Sequence, residues 1–99
     1  MSNTNVRVVA RVVAQPDKVE ELRSVLVGLL APTRAEEGCI QYDLLQNATD
    51  PTDFTFVEEW TSFSALEAHL GSDHLQAAIS AFSDLVGAEP DIQHYHQVG

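Results

Sequence analysis

Between Val6 and Ala14 the chain is almost continuous valine, and that run restricts the fold more than any other stretch. Side chains alternate across a strand. Val6, Val8, Ala10, Val12 and Ala14 therefore share one face, and Arg7, Val9, Arg11 and Val13 share the other. Valines on both faces mark a central strand covered on both sides. Yet 99 residues make one domain with one core (1–99, ordered over about 6–98), so a second layer is needed beyond it.

The remaining elements follow from periodicity and punctuation. Pro16-Asp17 opens a helix, with Asp17 as N-cap and Glu20 at the capping-box position. Val19, Leu22, Val25, Leu26, Leu29 and Leu30 form its apolar stripe. Pro32 cannot donate to the carbonyl of Gly28, which predicts a kink; Gly38 terminates the helix. Cys39 to Gln46 and Asp53 to Trp60 alternate as an antiparallel hairpin, with Ile40, Tyr42 and Leu44 on one face. Thr61-Ser62 starts a helix that Gly71 interrupts and Ser72 caps anew, running to Gly87. Pro90 to Val98 is a last strand, and the polar start Met1 to Asn5 is expected to fray.

The order β-α-β-β-α-β predicts an α+β, ferredoxin-like fold: a four-stranded antiparallel sheet with both helices on one face. Val9, Val13, Thr55, Val57 and Glu59 then lie on the bare face, too apolar for solvent. Back-to-back packing of two sheets in a homodimer is the simplest cover, with Arg7 or Arg11 against Glu59 setting the register.

Charge narrows the partners. The first 34 positions carry five basic and three acidic residues, and the other 65 carry twelve acids and neither Lys nor Arg. A net charge of −10 argues against nucleic acid or an anionic membrane as partner. No apolar run approaches a membrane span and no leader pattern is present, so a cytoplasmic protein is expected. Cys39 is the only cysteine, which rules out an internal disulfide and reads as a small buried hydrophobe.

Chemistry concentrates between Gly38 and His74. Phe54, Phe56, Glu58 and Trp60 project to one side of a strand, beneath a helix bearing His69 and His74. Glu58 among aromatics needs a partner: a helix N-terminus, or a histidine that it orients. His69, three residues after Leu66, lies near the buried stripe and is the first candidate for a base, because its ordinary pKa is near neutral. A core-edge histidine bonding a carbonyl is the plainer reading. His74 begins a helical turn, where the dipole favours a neutral imidazole. His94 and His96 share a strand face, a spacing that can chelate a metal, but no third ligand is evident and no metal is expected. Tyr95, on the opposite face, is placed at a dimer contact.

Gly38-Cys39-Ile40-x-Tyr42, Phe54-x-Phe56-x-Glu58-x-Trp60 and Ala65-Leu66-x-x-His69-x-x-Ser72-x-His74 together resemble the antibiotic-biosynthesis-type monooxygenase family. The resemblance runs from about Val6 to Val98. It implies a small cytoplasmic homodimer with a pocket between sheet and helices in each subunit. Known activities in the family include cofactor-independent oxygenation of quinols or polycyclic phenols, haem degradation and isomerisation of a signal molecule. The haem-degrading members resemble one another in an asparagine on the first strand, a tryptophan ending the third and a ligand histidine on the second helix. Trp60 matches, but Ala10 and Ile79 stand at the other two positions; His74, roughly one turn earlier, is a poor substitute.

The family resemblance and these residues together lead to a cofactor-independent monooxygenase that oxidises a hydroquinone or polycyclic phenol with dioxygen. His69, His74, Trp60 and Glu58 are its candidate catalytic residues. Phe54, Phe56, Tyr42 and Trp60 are expected to line an apolar slot for the small aromatic substrate. Alternatives are an isomerase using a histidine as proton shuttle and a non-catalytic ligand-binding or stress-associated module.

Overall fold

A computed structural model describes residues 5–99. The strands are β1 (Val6–Val13), β2 (Cys39–Gln46), β3 (Asp53–Trp60) and β4 (Asp91–Tyr95). Helical segments α1 (Val19–Val27) and α2 (Leu30–Arg34) follow β1, and α3 (Phe63–Leu70) and α4 (Asp73–Phe82) follow β3. The sheet is wholly antiparallel in the order β2-β3-β1-β4, which puts the valine run at its centre.

Alternation decides which side chains go under the helices. Val6, Val8, Ala10 and Val12 are buried there with Phe54, Phe56 and Trp60, against Leu22, Leu26, Leu29 and Leu66. On the other face Val9 stands directly opposite Val57 and Arg7 opposite Glu59. Arg7 Nε lies 3.9 Å from Glu59 Oε1, and Arg11 Nε lies 3.1 Å from Asp53 Oδ1. Both arginines are thus answered within the chain. The frayed start expected for Met1–Asn5 falls outside the described residues except at Asn5, whose amide donates to Glu59 Oε2 at 2.8 Å.

Local chemistry explains the breaks. The first helix divides at Gly28-Leu29, where the bond that Pro32 cannot make is missing; Leu29 N–H reaches back three residues to Leu26 instead. Gly38 adopts φ 87°, the only positive φ among the described residues. A Cβ there would lie 2.6 Å from Ala65 Cβ and 2.8 Å from Thr61 Oγ1. Only glycine lets the β2 entry pass this close to α3. Ser62 and Ser72 each accept a backbone N–H three residues on, from Ala65 and Leu75. Such caps contribute about 1 kcal/mol each.

Five expectations are corrected. Gly38 does not terminate the first helix: α2 already ends at Arg34, with Ala35 as its C-cap, and Gly38 lies in the turn that leads into β2. Asp17 does not cap α1: it lies in a turn closed by Lys18 N–H to Gln15 O, and the helix starts at Val19 without a side-chain cap. Ile40 does not share the inward face with Tyr42, because a register shift between Cys39 and Gln41 makes it an extra residue and turns it to solvent. The second helix ends at Phe82 rather than Gly87, and Val86 bridges to Ala14. The last strand is shorter than Pro90–Val98, and each of its residues is exposed.

Candidate functional site

A cavity of about 630 Å³ opens between the sheet and the second helical pair. Val8, Ala10, Val12, Tyr42 and Phe56 form its floor, and Leu66, Leu70, Leu75, Ile79 and Phe82 its roof. The segment Val86–Pro90 with Ile92 and His94 makes the rim. Its size and mostly apolar lining suit a small molecule. Two ionisable groups interrupt that lining deep inside: Glu58 and His69, which are 4% and 3% exposed.

Glu58 reaches this position because strand alternation carries it to the face of Phe54, Phe56 and Trp60. Its partner is its strand neighbour: Trp60 Nε1–H donates to Glu58 Oε1 at 2.9 Å. A helix N-terminus or a histidine was expected in that role. Burial lifts the Glu58 carboxyl to about 7, opposed by the indole hydrogen bond and assisted by the charge of Glu36. Near neutral pH it therefore exists as both acid and base.

His69 lies at the end of α3, its ring stacked on Trp60 at 4.7 Å and meeting Tyr42 edge-on at 5.5 Å. Its Nδ1 is 2.7 Å from Glu36 Oε2. The chain then turns at Gly71-Ser72, where Ser72 Oγ–H donates to His69 O at 2.6 Å. That turn brings His74, in the first turn of α4, beside His69, and its Nε2 is also 2.7 Å from Glu36 Oε2. An ionised carboxylate only accepts, so both nitrogens carry hydrogen. Nδ1–H of His69 is thereby committed to Glu36, and Nε2 is left as the acceptor of a ring that lines the cavity.

Tyr42 stacks on Phe56 at 4.7 Å, and burial with the nearby Glu58 charge raises its phenol far above the usual range. It remains a neutral wall. Trp60 is fully buried behind His69 and Glu58 and contributes no surface to the cavity, unlike the lining role expected of it. Phe54 is likewise outside, bordering a smaller hollow of about 150 Å³ beside α1. His74 does not line the cavity; it meets the site through Glu36 and through the ring of His69, 6.1 Å away. Ala10 and Ile79 do line the cavity, and neither side chain carries a ligand atom.

Glu36 is the residue that sequence reasoning missed. It lies between α2 and Gly38 beside Glu37, and nothing local distinguishes the two acids. The only available signal was indirect: a buried histidine with no obvious partner requires one. His94 reaches the rim, and the rings of His94 and His96 flank Phe63 at 6.1 and 6.3 Å. Cys39 is half-buried and packs against the core; burial raises its thiol pKa, which makes it a poor nucleophile. Tyr95 is half-exposed on the opposite face of β4.

The family model for antibiotic biosynthesis monooxygenases matches residues 5–81. The chain belongs to that family. It is 42% identical over 69 residues to "Putative monooxygenase Rv0793" of Mycobacterium tuberculosis, covering 70% of this chain and 67% of that one. It is 31% identical over 83 residues to "Putative monooxygenase YcnE" of Bacillus subtilis, covering 84% and 87%. Its fold superposes on the crystal structure of PA3566 from Pseudomonas aeruginosa with a TM-score of 0.92 and 32% identity, over 97% and 96% of the two chains. No described helix of this family member is long and apolar enough to cross a membrane. Glu58 and His69 both lie within the matched residues, whereas the rim beyond Phe82 does not.

Proposed function

We propose that this protein is a cofactor-independent monooxygenase acting on a hydroquinone or a polycyclic phenol. The observation that carries this reading is the pairing of His69, its Nδ1 held by Glu36, with Glu58 in one largely apolar cavity. His69 Nε2 takes the phenolic proton, and Glu36 stabilises the imidazolium that forms. The phenolate is electron-rich enough to reduce dioxygen directly, within walls that exclude water from the intermediates. One oxygen atom replaces a ring hydrogen and the other leaves as water; all four electrons come from the substrate, which emerges as a quinone. Glu58, whose acid form burial keeps populated near neutral pH, delivers a proton to the departing oxygen. Trp60 positions both groups, and His74 positions Glu36. Tyr42 and Phe56 supply flat walls.

A homodimer completes the molecule in this reading. Val9 and Val57 stand paired on the uncovered sheet face, where a second copy would bury them. A cytoplasmic location accords with the acidic composition and the free thiol.

Oxygen uptake with a panel of hydroquinones and phenols tests the activity. Uptake above autoxidation, with one atom of labelled dioxygen in the product, is expected. No uptake with any substrate would sink the proposal. The acid and base facing one cavity also support a second reading, isomerisation of a small carbonyl compound by proton transfer. Turnover that persists without oxygen would favour it.

A further inference from the structure

We propose that Glu36, His69 and His74 form a binding site for a divalent transition metal such as zinc, and that its occupation switches off the base at His69. The consequence for the base rests on the reading above; the binding site does not.

The three groups come from separate segments: the turn after α2, the end of α3 and the first turn of α4. They offer ligand atoms within 4.8 Å of one another, with His69 Nδ1 and His74 Nε2 each 2.7 Å from Glu36 Oε2. Two imidazoles and a carboxylate, with a fourth position left for water, are a common donor set for zinc. Ligand distances of about 2.0–2.2 Å place donors around one such ion roughly 3.3 Å apart. The two nitrogens therefore need to approach by no more than about 1.5 Å. Glu36, on a partly exposed turn, can withdraw to admit the ion between them. His69 is already held by Trp60 on its face and Tyr42 at its edge, so little ordering remains to be lost.

Binding changes the chemistry of the cavity without entering it, since Glu36 and His74 do not line it. In the metal-free protein His69 carries its hydrogen on Nδ1, facing Glu36, and Nε2 accepts. A metal ion needs the Nδ1 lone pair. The neutral ring keeps one hydrogen, which must then reside on Nε2. No proton is gained or lost by the ring; it moves from one nitrogen to the other. The atom that accepted a substrate proton becomes a donor, and general base catalysis stops. Such inhibition lowers kcat in proportion to occupancy and leaves KM unchanged.

Cobalt(II) titration of the untagged protein, followed by its visible absorption and reversed with zinc(II), measures binding without any substrate. One ion per chain is expected. His74→Ala should weaken binding by more than the roughly 10- to 100-fold that loss of an outer-shell partner costs. The His94→Gln/His96→Gln pair should bind as the parent does. No binding up to roughly millimolar metal, or full affinity in His74→Ala, overturns the site; loss in the β4 pair alone would place the ion there instead. Nitrogen-15 NMR of the rings tests the switch: zinc should shift the hydrogen of His69 to Nε2. A ring that keeps Nδ1–H at full zinc occupancy overturns it, whether or not the oxygenase assay succeeds.

Discussion

The indole N–H of Trp60 donates to Glu58 Oε1 across 2.9 Å, joining two residues of one strand face, the first buried behind the cavity and the second lining it. This bond favours the charged carboxylate and partly offsets the effect of burial. Replacing Trp60 by Phe should therefore push the Glu58 carboxyl above about 7. The alkaline limb of kcat/KM should move to higher pH, accompanied by a general loss of rate because His69 loses its stacking partner. An alkaline limb left in place would show that another group sets it.

Glu58 also makes stability depend on pH. Its carboxyl ionises at about 7 when folded and near 4.5 as an unperturbed group, so between these values the folded chain holds a proton that the unfolded chain has released. Stability should fall as pH rises through that window and level off above it, by roughly 3 kcal/mol at most. Urea denaturation of the parent and of Glu58→Gln at several pH values checks this. The variant should lose the slope.

His69→Ala should lower kcat by about 10²-fold or more, the usual contribution of a positioned base. Added imidazole should restore part of the loss. Glu36→Gln keeps a side chain of the same shape but removes the charge opposite the imidazolium, so it should lower kcat while leaving KM near its parent value. Equal kcat in both variants and the parent would remove this pair from the mechanism.

Gly38→Ala should destabilise the fold by more than the roughly 1–2 kcal/mol of left-handed backbone strain, because the added methyl meets Ala65 Cβ at 2.6 Å. A lowered thermal midpoint is the expected readout. Gly28→Ala is the control: that position is helical, and its nearest atoms are at ordinary contact distance.

The parent protein should run as a dimer in light scattering. Val57→Lys, at the position directly opposite Val9, should yield monomers that remain folded by circular dichroism. A monomeric parent would leave the valines of this face without a partner.

Much of this architecture was legible because it rests on local rules. The central position of β1 follows from valine on both faces, and Ser62 and Ser72 announce helix starts through cap chemistry. What escaped depended on contacts remote in sequence or on one-residue irregularities. The extra residue at Ile40 reverses an inward position that alternation assigns to it. Asp17 has the right side chain for a cap, but the turn at Gln15–Lys18 delays the helix past it. The site was half legible: Tyr42, Phe56, Glu58 and His69 do converge on the cavity. Phe54 and Trp60 share their strand face but lie beyond its edge, because alternation fixes a side and not a depth. Glu36 is 33 residues from His69, and only the packed fold makes them neighbours.

The φ of 87° at Gly38 has a consequence beyond the turn itself. Glu36 lies two residues upstream of that glycine and the histidine helix pair lies against it. The separation of carboxylate from imidazole is therefore set by how closely two backbones can approach where a methyl is missing. Reactivity here is mechanically tied to a residue with no functional group. A screen that recovers lost activity from Gly38 variants should find its suppressors at Ala65 and Thr61, the side chains that would have to yield, rather than among the ionisable groups of the cavity.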